Sequence, residues 1–443
     1  MTRSSDADQP AAIAPRSARP WAPRPEVAAR CSGSLEQALV VESNGSSGCI
    51  GGWELLYPAG AQGDAFEFRV DVHWRDLAKG FESIEVDAIW TGANDRTLDW
   101  SPIWQWAPAE AGWITLSAHL LNDSAATALT IRLLLRWSAS GRVEWRRPTL
   151  LPASPQPERP LRLAAASSLP PKDVRSLADN RDRFVALCRR AGDQGVQLLC
   201  LPEQILLKGL PKLPPEAYPA YAVEVPGPHI EPFCEVARSY GMAIAFSVLE
   251  RAGELIHNTA VLIDADGRIA AKYRKVHLTH GEVWMGLTPG DDFPVTEIGP
   301  ASARVGLNIC KDSSNMEAAR MVGRLGAEVL LLPIASDNRA DGWQRGPGRF
   351  DLERWLLIQR MRAMDNQLYL VAARISGRGS GIFAPDGSVL ALDHGDTPLV
   401  MADVDLSRRF VSWNGASFRD MTWGQRREST YGALSGGWWP PGR

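Results

Sequence analysis

Cysteine is scarce and unpaired in this 443-residue chain: its six cysteines, at 31, 49, 188, 200, 234 and 310, include no CxxC pair. That spacing fits neither a disulfide framework nor a zinc site, and a reducing compartment is the simpler reading. Histidine is equally sparse. The seven histidines form no HExxH spacing, and His277 and His280 lie beside Lys275 without the further ligands a metal requires, so neither a metal nor another cofactor is expected. Charge of one sign is also missing: 48 basic and 51 acidic residues leave a net charge of -3, and no basic field exists to draw in nucleic acid or an anionic membrane. No run approaches the roughly 20 apolar residues of a membrane span. Residues 1–30 have no continuous apolar segment of the kind a secretory signal needs, and are expected to form a disordered tail on a cytoplasmic protein.

What remains is an ordinary globular composition, 45% hydrophobic and 22% charged, in a chain long enough for two domains. From residue 31 to 151 apolar and polar residues alternate, as in Phe66, Phe68, Val70, Val72, Trp74 and in Leu129, Ile131, Leu133, Leu135, Trp137. Period two predicts strands, and Gly-, Asn- and Asp-rich turns between them predict an antiparallel, jelly-roll-like β-sandwich. Trp74, Trp90 and Trp137 fall in phase with the inward residues and are expected in the core. The alternative for this tryptophan-rich module is a sugar-stacking platform, and its pattern resembles carbohydrate-binding or galactose-binding-like modules, which makes a glycan a candidate partner. A proline-rich linker, 152–160, ends the sandwich.

From 161 to 443 the pattern changes to strands alternating with helices, which signals an α/β domain. Asp266-Gly267 and Asp386-Gly387 each join two apolar runs and predict hairpins, because the turn needs positive φ. Three segments carry chemistry. The apolar strand from Val196 ends abruptly in Pro202-Glu203, which places a carboxylate at the carboxyl end of a buried strand. In Lys272-Tyr273-Arg274-Lys275-Val276-His277, alternation turns at least one cation inward, where it needs a carboxylate or a reacting anion. In Val305-Gly306-Leu307-Asn308-Ile309-Cys310-Lys311-Asp312, the cysteine lies on a strand-to-helix turn. Such a turn exposes the thiol, the helix N-terminus favours its thiolate, and the following N–H groups, Lys311 first, can bind an oxyanion.

These segments, in this order, resemble the nitrilase or carbon–nitrogen hydrolase superfamily. His257-Asn258-Thr259 with its hairpin, Arg362-Ala363-Met364-Asp365-Asn366, and Arg426-Arg427 with Tyr431 are similar to further family patterns. The resemblance implies a four-layer αββα fold, usually assembled into homodimers or larger homo-oligomers. It also implies that Glu203 acts as general base and acid, Cys310 forms a thioester, and Lys275 stabilises the oxyanion with the Lys311 N–H. Glu282 takes the place of a second glutamate that orients the lysine. Candidate substrate contacts are Trp284, Ser313 and Ser336; Trp284, Trp343 and Trp355 either line the pocket or pack a core or interface. After the cysteine, carbamoyl amino-acid hydrolases hold a carboxylate with arginines, where this chain has Ser313 and Ser314, and the Trp-Glu pair of true nitrilases is absent. An amide or ureide substrate is therefore expected. Acyl transfer from the same thioester, or a catalytically weak glycan-binding scaffold, are the alternatives.

Overall fold

A computed structural model describes residues 11–58, 64–121, 124–167, 173–342, 348–375, 377–412 and 417–434. The chain divides into two compact units, Met1–Pro157 with Arg409–Arg443, and Glu158–Arg408.

The first unit is a sandwich of two wholly antiparallel sheets. One orders Ser17–Trp21, Ile50–Pro58, Ala128–Arg136, Ile84–Thr91 and Thr97–Pro102; the other orders Arg30–Gly33, Leu39–Glu42, Arg142–Ala153, Ala65–Arg75, Ile114–Leu121 and Gln105–Pro108. Alternate residues such as Phe66, Phe68, Val70, Ile131, Leu133 and Trp145 fill the space between the sheets. Trp90 is buried there and Trp74 packs against it in part. Trp137 departs from the expected pattern. It follows the last residue of its strand at φ 53°, leaves the inward phase, and sits 37% exposed beneath the Arg136 and Arg427 guanidinium groups.

Two boundaries also differ from the sequence reading. Ser17–Trp21, expected in a disordered tail, pairs along Ile50–Pro58, while residues 1–10 lie outside the described residues. Pro152 and Ala153 still pair with Phe66 and Ala65, so the stretch free of strands narrows to 154–159. The expected hydrolase domain is also shorter at its end: the segment from Arg409 groups with the sandwich. Glu82 accepts from the Ser429 N–H and hydroxyl and faces Arg427, and the Trp104 indole donates to Asp420.

The second unit contains two six-stranded sheets. The first orders Ile269–Arg274, Leu255–Ile263, Ala243–Ala252, Leu198–Cys200, Pro160–Ala166 and Leu399–Asp405; the second orders Val295–Glu297, Arg304–Leu307, Val329–Ile334, Tyr369–Arg374, Gly381–Phe383 and Val389–Leu392. Parallel pairs lie at their centres, and hairpins through Gly267 (φ 82°) and Gly387 (φ 79°) extend them. Leu177–Asp193, started by a Ser176–Asp179 capping box, and Glu231–Tyr240, stopped by Gly241 at φ 60°, bury Phe184, Leu187, Phe233 and Val236 on the first sheet. Met316–Arg324 and Leu352–Asn366 cover the second. Gly306 lets the former helix approach, since a Cβ there would stand 2.1 Å from Val322. The remaining faces of the two sheets pack on each other through Pro160–Ala166, Leu198–Cys200, Val329–Ile334 and Tyr369–Arg374. The result is a four-layer αββα unit.

Candidate active site

The chemistry-bearing residues lie at strand ends drawn from both sheets. Glu203 follows Leu201-Pro202, where the chain leaves the first sheet, and the next residue, Gln204, takes a left-handed φ of 48° with its N–H held by the Ser247 hydroxyl at 2.8 Å. Lys275 comes just after Ile269–Arg274, and its N–H donates to the Asn258 carbonyl at 2.8 Å. Glu282 lies in the short helix His280–Trp284, where Thr279 and Glu282 cap each other reciprocally. Cys310 comes from the second sheet. It opens the tight turn Cys310–Ser314 beyond Arg304–Leu307 and has φ 42°, a strained backbone that costs about 1–3 kcal/mol for a residue with a side chain.

These residues converge in a buried cluster. Lys275, 1% exposed, donates to Glu203 Oε1 at 3.1 Å and to both Glu282 oxygens at 2.9 Å. The Asn258 amide donates to Glu203 Oε1 at 2.9 Å and Glu282 Oε1 at 2.7 Å, which lets two carboxylates share one small volume. Glu203 Oε2 accepts the Ala335 N–H at 3.0 Å, reaching across to the second sheet. Cys310 Sγ lies 3.4 Å from the Ser336 carbonyl, and the Glu203 carboxylate acts electrostatically on its thiol.

The electrostatics follow from this packing. Burial opposes a charge on Lys275, but Glu203, Cys310 and Glu282 outweigh it and hold the ammonium well above its ordinary pKa. Burial would also push the Glu282 carboxyl up; Lys275, the Thr279 N–H and Asn258 win, and it sits below the usual range. Cys310 behaves contrary to the expectation of a favoured thiolate. Burial first, then the Glu203 charge, push its thiol far above the ordinary value despite Lys275. A turn at a helix start supplies about half a charge, and here full burial beside a carboxylate overrides it. Both effects favour the neutral thiol at Cys310.

The other candidates scatter. The Ser313 hydroxyl donates to the buried Asp337 at 3.0 Å, and its carbonyl accepts from Arg339 and Arg362, so it braces the turn behind Cys310. The Ser336 hydroxyl donates to Asp341 at 2.7 Å, and only its carbonyl approaches Cys310. Trp284 is 75% exposed and stacks on His280. Trp355 is fully buried with its indole on the Gly379 carbonyl at 2.7 Å, a core residue; Trp343 lies outside the described residues. The sequence named Asn258 only within a family pattern and Asp312 only within the cysteine segment, and gave neither a role. The available signal was a buried-strand asparagine between Ile256 and Ala260, and an aspartate two residues beyond the cysteine.

A glutamate, a lysine and a cysteine brought together between two stacked sheets place the protein in the class of cysteine-dependent carbon–nitrogen hydrolases. The chain belongs to the carbon–nitrogen hydrolase family, whose sequence profile matches residues 163–409. It is similar to the omega-amidase NIT2 of Xenopus tropicalis (30% identity over 247 residues, 52% of this chain and 84% of that one). The omega-amidase NIT2 of Homo sapiens is also 30% identical, over 249 residues, with the same coverage. Among solved structures, an amidase from Nesterenkonia sp. aligns with 62% of this chain and 96% of its own at 23% identity and a TM-score of 0.49.

Proposed function

We propose that the protein hydrolyses a primary amide through a thioester on Cys310, releasing ammonia and a carboxylic acid. The observation that carries this reading is the single buried cluster of Glu203, Lys275, Glu282 and Cys310. Glu203 takes the thiol proton as Sγ attacks the amide carbon, so that base and nucleophile are matched without a resting thiolate. The tetrahedral oxyanion is held by Lys275 and the Lys311 N–H. An ammonium has three donors, and at rest Lys275 directs them at Glu203 and Glu282. Protonation of Glu203 weakens its hold on Lys275 just as the oxyanion appears, and the freed donor turns to it. Glu282 keeps the ammonium in place. Glu203 then returns its proton to the leaving amine, and water, deprotonated by Glu203, breaks the thioester.

Relatives named omega-amidase make ω-amides of dicarboxylic acids the first substrates to try, with ureides next. The Ser313 hydroxyl is engaged by Asp337, so a substrate carboxylate would be held elsewhere. Acyl transfer is separated from hydrolysis by adding an amine acceptor. Glycan binding is proposed for the open polar cleft of about 480 Å³ in the sandwich, lined by Arg30, Glu42, Asn44, Arg75, Asp76 and Arg142, and is tested by glycan-array binding of the full chain. Homo-oligomer formation is proposed from the family resemblance and is read by sedimentation. The deciding experiment measures ammonia release from ω-amides, simple amides, ureides and nitriles, with Cys310→Ala as the blank. Cys310-dependent release from an amide supports the reading; release from nitriles alone, or none from any amide or ureide, overturns it.

A further inference from the structure

The nucleophile and its acid–base partners come from opposite sheets. Cys310 follows a strand of the second sheet, whereas Glu203, Lys275 and Asn258 belong to the first. Their alignment therefore depends on what fixes one sheet edge against the other. One tie is the Glu203 bond to Ala335 N–H, but Glu203 must change protonation during turnover. A tie outside the reacting groups has to hold the geometry while that happens.

We infer that Asp312 is this tie, a positioning residue that clamps the strained Cys310 turn to the segment carrying Lys275. Its carboxylate is wholly buried. Oδ2 accepts at 2.8 Å from the N–H of Ile309, the residue immediately before Cys310, and from the Tyr273 hydroxyl at 2.7 Å. Oδ1 accepts from His277 Nδ1–H at 2.7 Å and the His277 N–H at 3.3 Å. Tyr273 and His277 flank Lys275 at two residues on either side, so the clamp grips both its approach and its exit. The Tyr273 hydroxyl in turn accepts from Val276 N–H at 3.3 Å, next to Lys275. Phe293 stacks on the Tyr273 ring at 5.7 Å and lies 6.5 Å from that of His277. A carboxylate has acceptor sites for all four donors, whereas an amide turns an NH2 group on some of them. The positive φ at Cys310 explains why a clamp is needed: a left-handed residue persists only where its surroundings over-determine it.

The test uses the full chain with Asp312→Asn, Tyr273→Phe and the double variant. Two readouts are taken: kcat and KM on the best amide, and the rate at which iodoacetamide alkylates Cys310, read by intact mass. The kcat arm rests on the amidase reading. The alkylation arm needs no substrate, so a wild type that turns over no amide defeats that reading while still testing the clamp. Because a misplacement of about 1 Å at the reacting atoms costs on the order of 100-fold, Asp312→Asn is expected to lower kcat by about 10- to 100-fold with KM little changed. Tyr273→Phe should lower it less, and should add nothing in the Asp312→Asn background, since both act through one carboxylate. Alkylation should depart from the wild-type rate in the same variants, because Glu203, which together with burial raises the thiol, no longer meets it squarely. A purely structural role would instead lower the melting temperature and leave kcat per folded molecule and the alkylation rate alone. Wild-type kcat and alkylation in both folded single variants overturn the inference, as do additive losses. Should Asp312→Asn fail to fold, Tyr273→Phe decides, because it leaves the Ile309 and His277 bonds to Asp312 in place.

Discussion

Replacing Lys275 by Met removes a cation that bridges two buried carboxylates while keeping most of the side-chain volume. Lys275 contacts Glu203 at 3.1 Å and Glu282 at 2.9 Å, and Asn258 brings the two carboxylates within reach of one amide. Breaking a buried pair by deleting one partner costs about 3–5 kcal/mol, which lowers the transition of a unit this size by ~6–20 °C. The pH dependence has a defined sign. In the wild type the Glu282 pKa is depressed, so its contribution is present above the unfolded carboxylate value of about 4.3 and is lost as pH falls through the folded value. In Lys275→Met the loss of the cation lets burial push the Glu282 carboxyl up. That penalty is full above the raised value and is relieved on acidification, so the gap to wild type narrows between about pH 7.5 and about pH 5. Calorimetry at both pH values reads it. Loss of the proposed oxyanion donor should add a fall in kcat of about 100- to 1,000-fold. A variant melting with the wild type near neutral pH, or a gap that widens with acid, would refute the reasoning.

Asn258→Ala leaves Glu203 and Glu282 without their shared donor, and a lost hydrogen bond to a charged group costs about 1.5–3 kcal/mol; kcat/KM should fall by an order of magnitude or two, measured by ammonia release. The Cys310 thiol is raised by burial and by Glu203, so its alkylation rate should still be climbing above about pH 10, where a free cysteine of pKa about 8.5 has levelled off; a plateau near neutral pH would show a resting thiolate instead. Trp284→Ala, at an exposed position, should change stability by less than about 0.5 kcal/mol, so any rise in KM reports substrate contact directly.

Much of the architecture was legible because it is written in local patterns. Period-two alternation marked the sandwich strands, Asp266-Gly267 and Asp386-Gly387 marked the hairpins, and the Pro202-Glu203 strand end stood where α/β sheets place ligands. Long-range features were not legible. The thiol of Cys310 looked activated from its own turn, but its environment is set by burial and then by Glu203, more than a hundred residues earlier in the chain. Trp137 lost its inward phase because the strand ends one residue before it. Arg426, Arg427 and Tyr431 read as a hydrolase tail, yet their segment groups with the sandwich, where Glu82 holds Ser429 and faces Arg427. Asp312 looked like one polar residue in a polar turn, and only the facing strand and the segment just beyond it bring Tyr273 and His277 to it.

The central claim is that amide cleavage passes through a covalent bond to Cys310. Acid-quenching the enzyme during turnover of an active amide and weighing the intact protein tests it most directly. A mass increase equal to the substrate's acyl group, localised to Cys310 and absent from Cys310→Ala, is expected. Steady turnover by Cys310→Ala, or an adduct carried on another residue, would contradict it.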